Sequence, residues 1–289
     1  MHRLACTRSR RFALLGRFKL TLKLVTVAAT LLSTLRPAYG MEFSLSHLTP
    51  FTGKYSDLEY VLLKGEIIPG DYNRLLEFAV NNNVDLAQHP IILASPGGDV
   101  SEALKIGELL KRLYVAAVVG PVTGQCVSAC FIIFASSVDR IMNNEKMIGI
   151  HRPYVYPDRL RSLSPSAAET LETDALLEAE KYLHDLRVPT SIMEEMFQQA
   201  STEVHWLTRR EFFELGQRAP WYEEFLIARC GLDKGAEYRV LTDHASAEDQ
   251  TSVDAANYCE RDLMRREGTK NFNCVIQRWQ KGQSPSKCK

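Results

Sequence analysis

The chain has no Cys-x-x-Cys pair and no His-Glu-x-x-His run, so its 289 residues give a zinc site little support. No internal repeat and no low-complexity block is present, which leaves out a repeat array. The first forty residues contain no acid at all, yet hold eight Lys and Arg. The apolar run that follows seven of these charges, residues 24–35, has the length of a signal-peptide core and is short for a membrane span. Arg-rich organelle import peptides lack such a core, and Cys6 precedes it, so Leu4-Ala5-Cys6 is a poor lipid-attachment site. Ala38-Tyr39-Gly40 offers a small-x-small cleavage site before Met41. Residues 1–40 are therefore expected to be a signal peptide or an uncleaved N-terminal anchor. The body would then be periplasmic or secreted, or, with the segment kept as a membrane tether, anchored to an inner membrane and facing the periplasm.

Removing that segment changes the charge balance. The whole chain has 35 basic and 35 acidic residues; without the first eight basic ones, 27 face 35, a net of −8. An acidic body argues against a nucleic-acid partner. Six of the seven cysteines lie beyond residue 40. Export permits disulfides there. Cys230, Cys259, Cys274 and Cys288 fall in the last sixty residues, where two bridges could staple a region with little apolar core; four cysteines allow three pairings.

The spacing of apolar residues predicts an α/β fold with a parallel sheet. Residues 60–63, 90–94 and 115–119 read as buried strands, and 72–80 and 100–113 as helices. In the second helix Ala103, Ile106, Leu110 and Leu113 recur on one face. A long helix over 167–186 carries Ala168, Leu171, Ala175, Ala179, Leu183 and Leu186 on one side. A helix from Pro189 to Ala200, a short strand at Trp206-Leu207 and a Thr208-capped helix before Gly216 complete the body. Beyond Pro220, residues 243–254 read as a polar loop between short helices, and 281–289 as a loose end. The expected division is 41–221 for the body and 222–289 for a small, mostly helical extension.

Three segments carry candidate chemistry: Ser95-Pro96-Gly97-Gly98, then Gly124-Gln125-Cys126-Val127-Ser128-Ala129-Cys130, then Ile150-His151-Arg152-Pro153. Each alone is commonplace: a turn, a helix cap and a structural histidine. Together they supply what acyl transfer needs, namely an activated nucleophile, a base and donors for an oxyanion. Ser128 opens the apolar run 129–135 after a loop, at a helix start where free N–H groups favour negative charge. His151 closes an apolar strand and precedes Arg152-Pro153, where extended geometry is favoured. Cys126 and Cys130 flank Ser128; on one helix they would share a face about 200° from the serine. Buried packing is the favoured reading of that pair, a strained disulfide the other. Neither cysteine is favoured as nucleophile.

The order Ser-Pro-Gly-Gly, Gly-Gln-x-x-Ser and Ile-His-x-Pro resembles the proteolytic subunit of the Clp protease family, within the Clp/crotonase superfamily and in its secreted or periplasmic bacterial branch. The similarity covers residues 60–220 or so. It implies a Clp/crotonase-like repeated β-β-α superhelix, Ser128 as nucleophile, His151 as base, and the amides of Gly98 and Ala129 as oxyanion donors. It also implies self-association through the long helix, giving a homo-oligomer. The departure lies at the third residue. The family's aspartate falls on Val204, and loss of that carboxylate can cost about 10⁴ in turnover. A Ser–His dyad, a substitute acid (Glu203, Asp185 or Asp174) and a degenerate site are the three explanations.

The expected activity is that of an exported serine peptidase acting on peptides or unfolded protein, with no cofactor and no metal. The alternative is a catalytically degenerate Clp-like binding or assembly module. A crotonase-type acyl-CoA enzyme is disfavoured by export away from cytosolic CoA.

Overall fold

A computed structural model describes residues 40–47, 59–120, 124–155 and 157–288. The expected signal or anchor segment lies outside the described residues but for Gly40. Among the described residues no helix is long and apolar enough to cross a membrane.

Among the described residues two sheets carry the fold, and the larger has the order β1-β2-β3-β4-β6. Its strands are β1 (Glu42–Ser46), β2 (Tyr60–Lys64), β3 (Ile91–Ala94), β4 (Ala117–Val119) and β6 (Arg140–Met142). β1 runs antiparallel to β2, and the remaining pairs are parallel. Parallel strands need crossovers, and α1 (Asp71–Asn81) and α2 (Val100–Arg112) supply two of them. β3 is buried at every position, as a strand covered on both faces must be. The smaller sheet, β5-β7-β8, joins β5 (Cys126–Val127), β7 (Ile148–Ile150) and β8 (His205–Trp206). β5 and β7 are parallel, and β8 is antiparallel to β7. A parallel bridge from Ser95 to Cys126 links the two sheets.

β5 leads into α3 (Ala129–Ser136), all eight residues of which are buried. Phe131 and Phe134 are among the largest fully buried side chains, and truncating either would cost about 3–5 kcal/mol. A short helix, α4 (Pro157–Leu160), precedes α5 (Pro165–Asp185), the long helix expected from the apolar repeat. Within α5 only Ala179 and Leu183 are buried. α6 (Thr190–Gln198) and α7 (Arg209–Leu215) follow, and Thr208 and Glu211 form a reciprocal cap at the start of α7.

The tail consists of α8 (Pro220–Cys230), α9 (Lys234–Leu241), α10 (Ala247–Leu263) and α11 (Thr269–Gln280). The polar stretch expected as a loop is mostly helix: Ser246 and Asp249 cap each other's backbone and start α10, which then runs through it. The four tail cysteines pair as Cys230–Cys259 and Cys274–Cys288. Within the end expected to be loose, residues 281–289, Cys288 is buried and bridged to Cys274, and α11 before it packs on the body. Phe272, Val275 and Cys288 join the main core, Asn271 Nδ2 donates to the Arg112 carbonyl at 2.9 Å, and Trp279 Nε1 donates to Asn73 at 3.0 Å.

Candidate active site

The C-terminal ends of the parallel strands converge on one place. Ser95 follows β3, Ser128 follows β5 and His151 follows β7. Such strand ends are where open α/β sheets gather their sites. β5 and β7 pair with Val127 opposite Gly149, so Ser128 and His151 leave neighbouring strands at the same end.

Ser128 is the N-cap of α3 with φ 59° and ψ −127°. Backbone in that region costs about 1–3 kcal/mol and persists only where the surroundings over-determine it. Here they do. Ser128 N donates to the Gly149 carbonyl at 2.8 Å, Val127 N to Ser95 at 2.9 Å, and Phe131 N to the Ser128 carbonyl at 2.8 Å. The serine thus stands on a sharp strand-to-helix turn rather than within a helix.

That turn corrects the reading of the flanking cysteines. Cys126 lies on β5 and Cys130 on the first turn of α3, so they do not share a helix face. The kink at Ser128 brings their Cα atoms to 5.3 Å, and they form a disulfide. Buried packing of two free thiols, the favoured sequence reading, is therefore replaced by a bridge.

The glycine turn faces the serine. Gly97 has φ 98°, and a Cβ added there would lie 2.6 Å from Ser128 Cβ and 3.1 Å from Ala129 N. Gly98 has φ 145°, and its Cβ would run into the Ile67 carbonyl. Ile67 N donates to Gly97 O and Asp99 N to Ile67 O, both at 2.8 Å, while Gly97 N donates to Ser95 Oγ at 3.1 Å. Between these engaged amides, the Gly98 N–H carries no bond among the described residues. The Ala129 N–H belongs to the first turn of α3, where no intrahelical acceptor exists.

His151 is buried, and its Nδ1 lies 3.0 Å from the Arg152 carbonyl. With the proton on Nδ1 donated to that oxygen, Nε2 is left as an acceptor. The Tyr154 ring lies 5.9 Å from the imidazole, centre to centre. The expected acids are occupied elsewhere. Glu203 Oε2 accepts from Gln199 Nε2 at 2.9 Å, Asp185 pairs with Lys181 at 3.2 Å, and Asp174 is exposed. Pairing of Ile150 with His205, continued by one residue, sets Val204 opposite His151. A Cβ on Gly149 would meet Val204, Trp206 and Val127 within 3.2 Å, so an apolar wall stands where an acid would be sought.

One residue beside the glycine turn was not singled out in the sequence. Asp99 caps α2 by accepting from Glu102 N at 3.0 Å, and its other oxygen binds Arg159 Nη1 at 2.6 Å. The pair ties α4, beyond His151, to the glycine turn. The Asp99–Glu102 spacing is a capping signal readable in sequence, whereas the reach of Arg159 is not. Among the described residues, no group of three or more His, Cys, Asp or Glu is arranged to hold a metal ion.

No family model matches this chain. No curated protein matches it either. Among solved structures, a mutant of the 1510-N membrane-bound stomatin-specific protease is similar to it at 20% identity and a TM-score of 0.34. That match covers 59% of this chain and 83% of the other.

Proposed function

We propose that this chain is an exported, Clp-like serine peptidase with a repeated β-β-α core, in which Ser128 and His151 act as a dyad. The observation that carries this reading is the strained Ser128 turn, one strand from His151 and directly beneath Gly97. His151 Nε2 takes the Ser128 proton as Oγ attacks the peptide carbonyl. The Gly98 and Ala129 amides receive the oxyanion. Collapse expels the amine with the proton from His151, and water then hydrolyses the acyl-enzyme with the same base. The Arg152 carbonyl does the orienting work of the family's aspartate by fixing the imidazole tautomer. Being neutral, it stabilises the imidazolium less than a carboxylate does. No step calls for a cofactor.

Three disulfides fit an oxidising compartment and support export behind residues 1–40. Substrates are peptides or unfolded segments. The largely exposed α5 supports assembly into a homo-oligomer. The test is labelling by a serine-reactive fluorophosphonate: wild type reacts and Ser128→Ala does not. Equal labelling of both ends the assignment.

The second reading, a catalytically degenerate binding or assembly module, draws on Val204 opposite His151 and on Glu203 being held by Gln199. It predicts no cleavage of a peptide library and full function of Ser128→Ala in a deletion strain.

A further inference from the structure

We infer that the Cys126–Cys130 disulfide is a positioning clamp for the Ser128 turn, so that the nucleophile becomes competent only once this bond has formed. The inference rests on the reading of Ser128 as nucleophile and adds the condition under which that nucleophile is assembled.

The bridge encloses three residues, with Ser128 at their centre. Its anchors belong to different elements, the first residue of β5 and the first turn of α3. Relaxing Ser128 from φ 59° to an ordinary negative φ would swing the start of α3 relative to β5. That swing would turn Ser128 Oγ and the Ala129 N–H, the two groups that must face one substrate carbonyl. A disulfide tolerates only a narrow window of Cα separations, and the 5.3 Å found here lies inside it. With the bond closed, the strained turn is the conformation the chain can hold. With it open, only hydrogen bonds and the packing of Gly97 oppose relaxation.

Loop length separates this role from general stapling. A cross-link restrains the unfolded chain by an amount that grows with the loop it closes. The sequence separations are 4 for Cys126–Cys130, 29 for Cys230–Cys259 and 14 for Cys274–Cys288. The first does least for the unfolded chain, and it is the one that straddles the serine. Both its cysteines are fully buried, so the closed bond is shielded from reductants and acts as a fixture rather than a reversible switch. Closure requires an external disulfide of the thiol–disulfide exchange type. The two thiols lose two electrons and two protons, the internal S–S bond forms, and the external disulfide is reduced to two thiols. In a reducing compartment the chain would carry an unclamped turn and little activity.

The experiment compares fluorophosphonate labelling rates of full-length wild type, Cys126→Ala/Cys130→Ala and Cys230→Ala/Cys259→Ala, each with its thermal unfolding curve. The clamp predicts at least a tenfold slower rate in the first variant. The second variant should melt at lower temperature yet label at the wild-type rate. As a check independent of folding of the variants, wild type refolded without oxidant is assayed before and after oxidised glutathione is added. Labelling should rise at least tenfold together with the loss of two hydrogens from the peptide holding residues 126 and 130. Labelling of the first variant within twofold of wild type, or full labelling before oxidation, overturns the clamp alone. Absence of labelling in oxidised wild type removes the nucleophile and the clamp with it.

Discussion

Gly97 lies face-on against Ser128: a methyl group on the glycine would sit 2.6 Å from the serine Cβ. Two requirements meet at this residue, a φ of 98° that L-residues rarely adopt and a surface with no side chain at all. Gly97→Ala is therefore expected to push the Ser128 turn aside. A displacement of about 1 Å at a reacting group costs on the order of 100-fold in rate. Fluorophosphonate labelling alongside circular dichroism checks it: the rate should collapse while helix content stays.

His151→Asn should keep the fold and lower peptide cleavage by about 10²–10⁴-fold, the usual contribution of a general base. The converse change lies across the sheet. Val204→Asp would present a carboxylate opposite His151 at a position 37% exposed, where an ionised acid is tolerated. It is expected to raise kcat with little change in KM, within a ceiling of about 10⁴. Steady-state kinetics on one peptide substrate decides both.

Asp99 performs two tasks, capping α2 and binding Arg159. Asp99→Ala should lose the cap, worth about 1–2 kcal/mol. For a chain of this size that corresponds to a fall in Tm of roughly 2–8 °C. Arg159→Ala should lower Tm less, because its side chain is 48% exposed and the pair is partly screened. Differential scanning calorimetry of the two variants orders them.

Glu211 sets a pH dependence. Burial raises its pKa, but the Thr208 N–H, the Thr208 hydroxyl and His205 together outweigh burial and hold the carboxyl below its ordinary 4.5. A depressed carboxylate contributes stability above the unfolded value, and that contribution is lost as pH falls through the folded one. Glu211→Gln should therefore be less stable than wild type in urea at neutral pH. The gap should shrink steadily as pH falls below 4.5.

Much of the scaffold was legible because it rests on periodicity. Ala103, Ile106 and Leu110 repeat at helical spacing, and α2 forms where they do. Ser128 and His151 could be singled out because each sits at a boundary between an apolar run and a loop. The disulfide was misjudged for a geometric reason. The buried-packing reading takes residues 126–130 as one helix turn, whereas the positive φ at Ser128 folds Cys130 back toward Cys126 on β5. The first half of α10 is hidden because residues 247–254 are mostly polar, and the Ser246–Asp249 cap rather than apolar spacing announces it. Contacts such as Asp99 with Arg159 join residues sixty apart, and no local pattern encodes them.

Val275 and Cys288 complete the main core from the last turns of the tail. A nascent chain threading outward from its N-terminus delivers these plugs last. Until they emerge, the hydrophobic interior stays incompletely sealed, so the body closes only when synthesis is nearly finished.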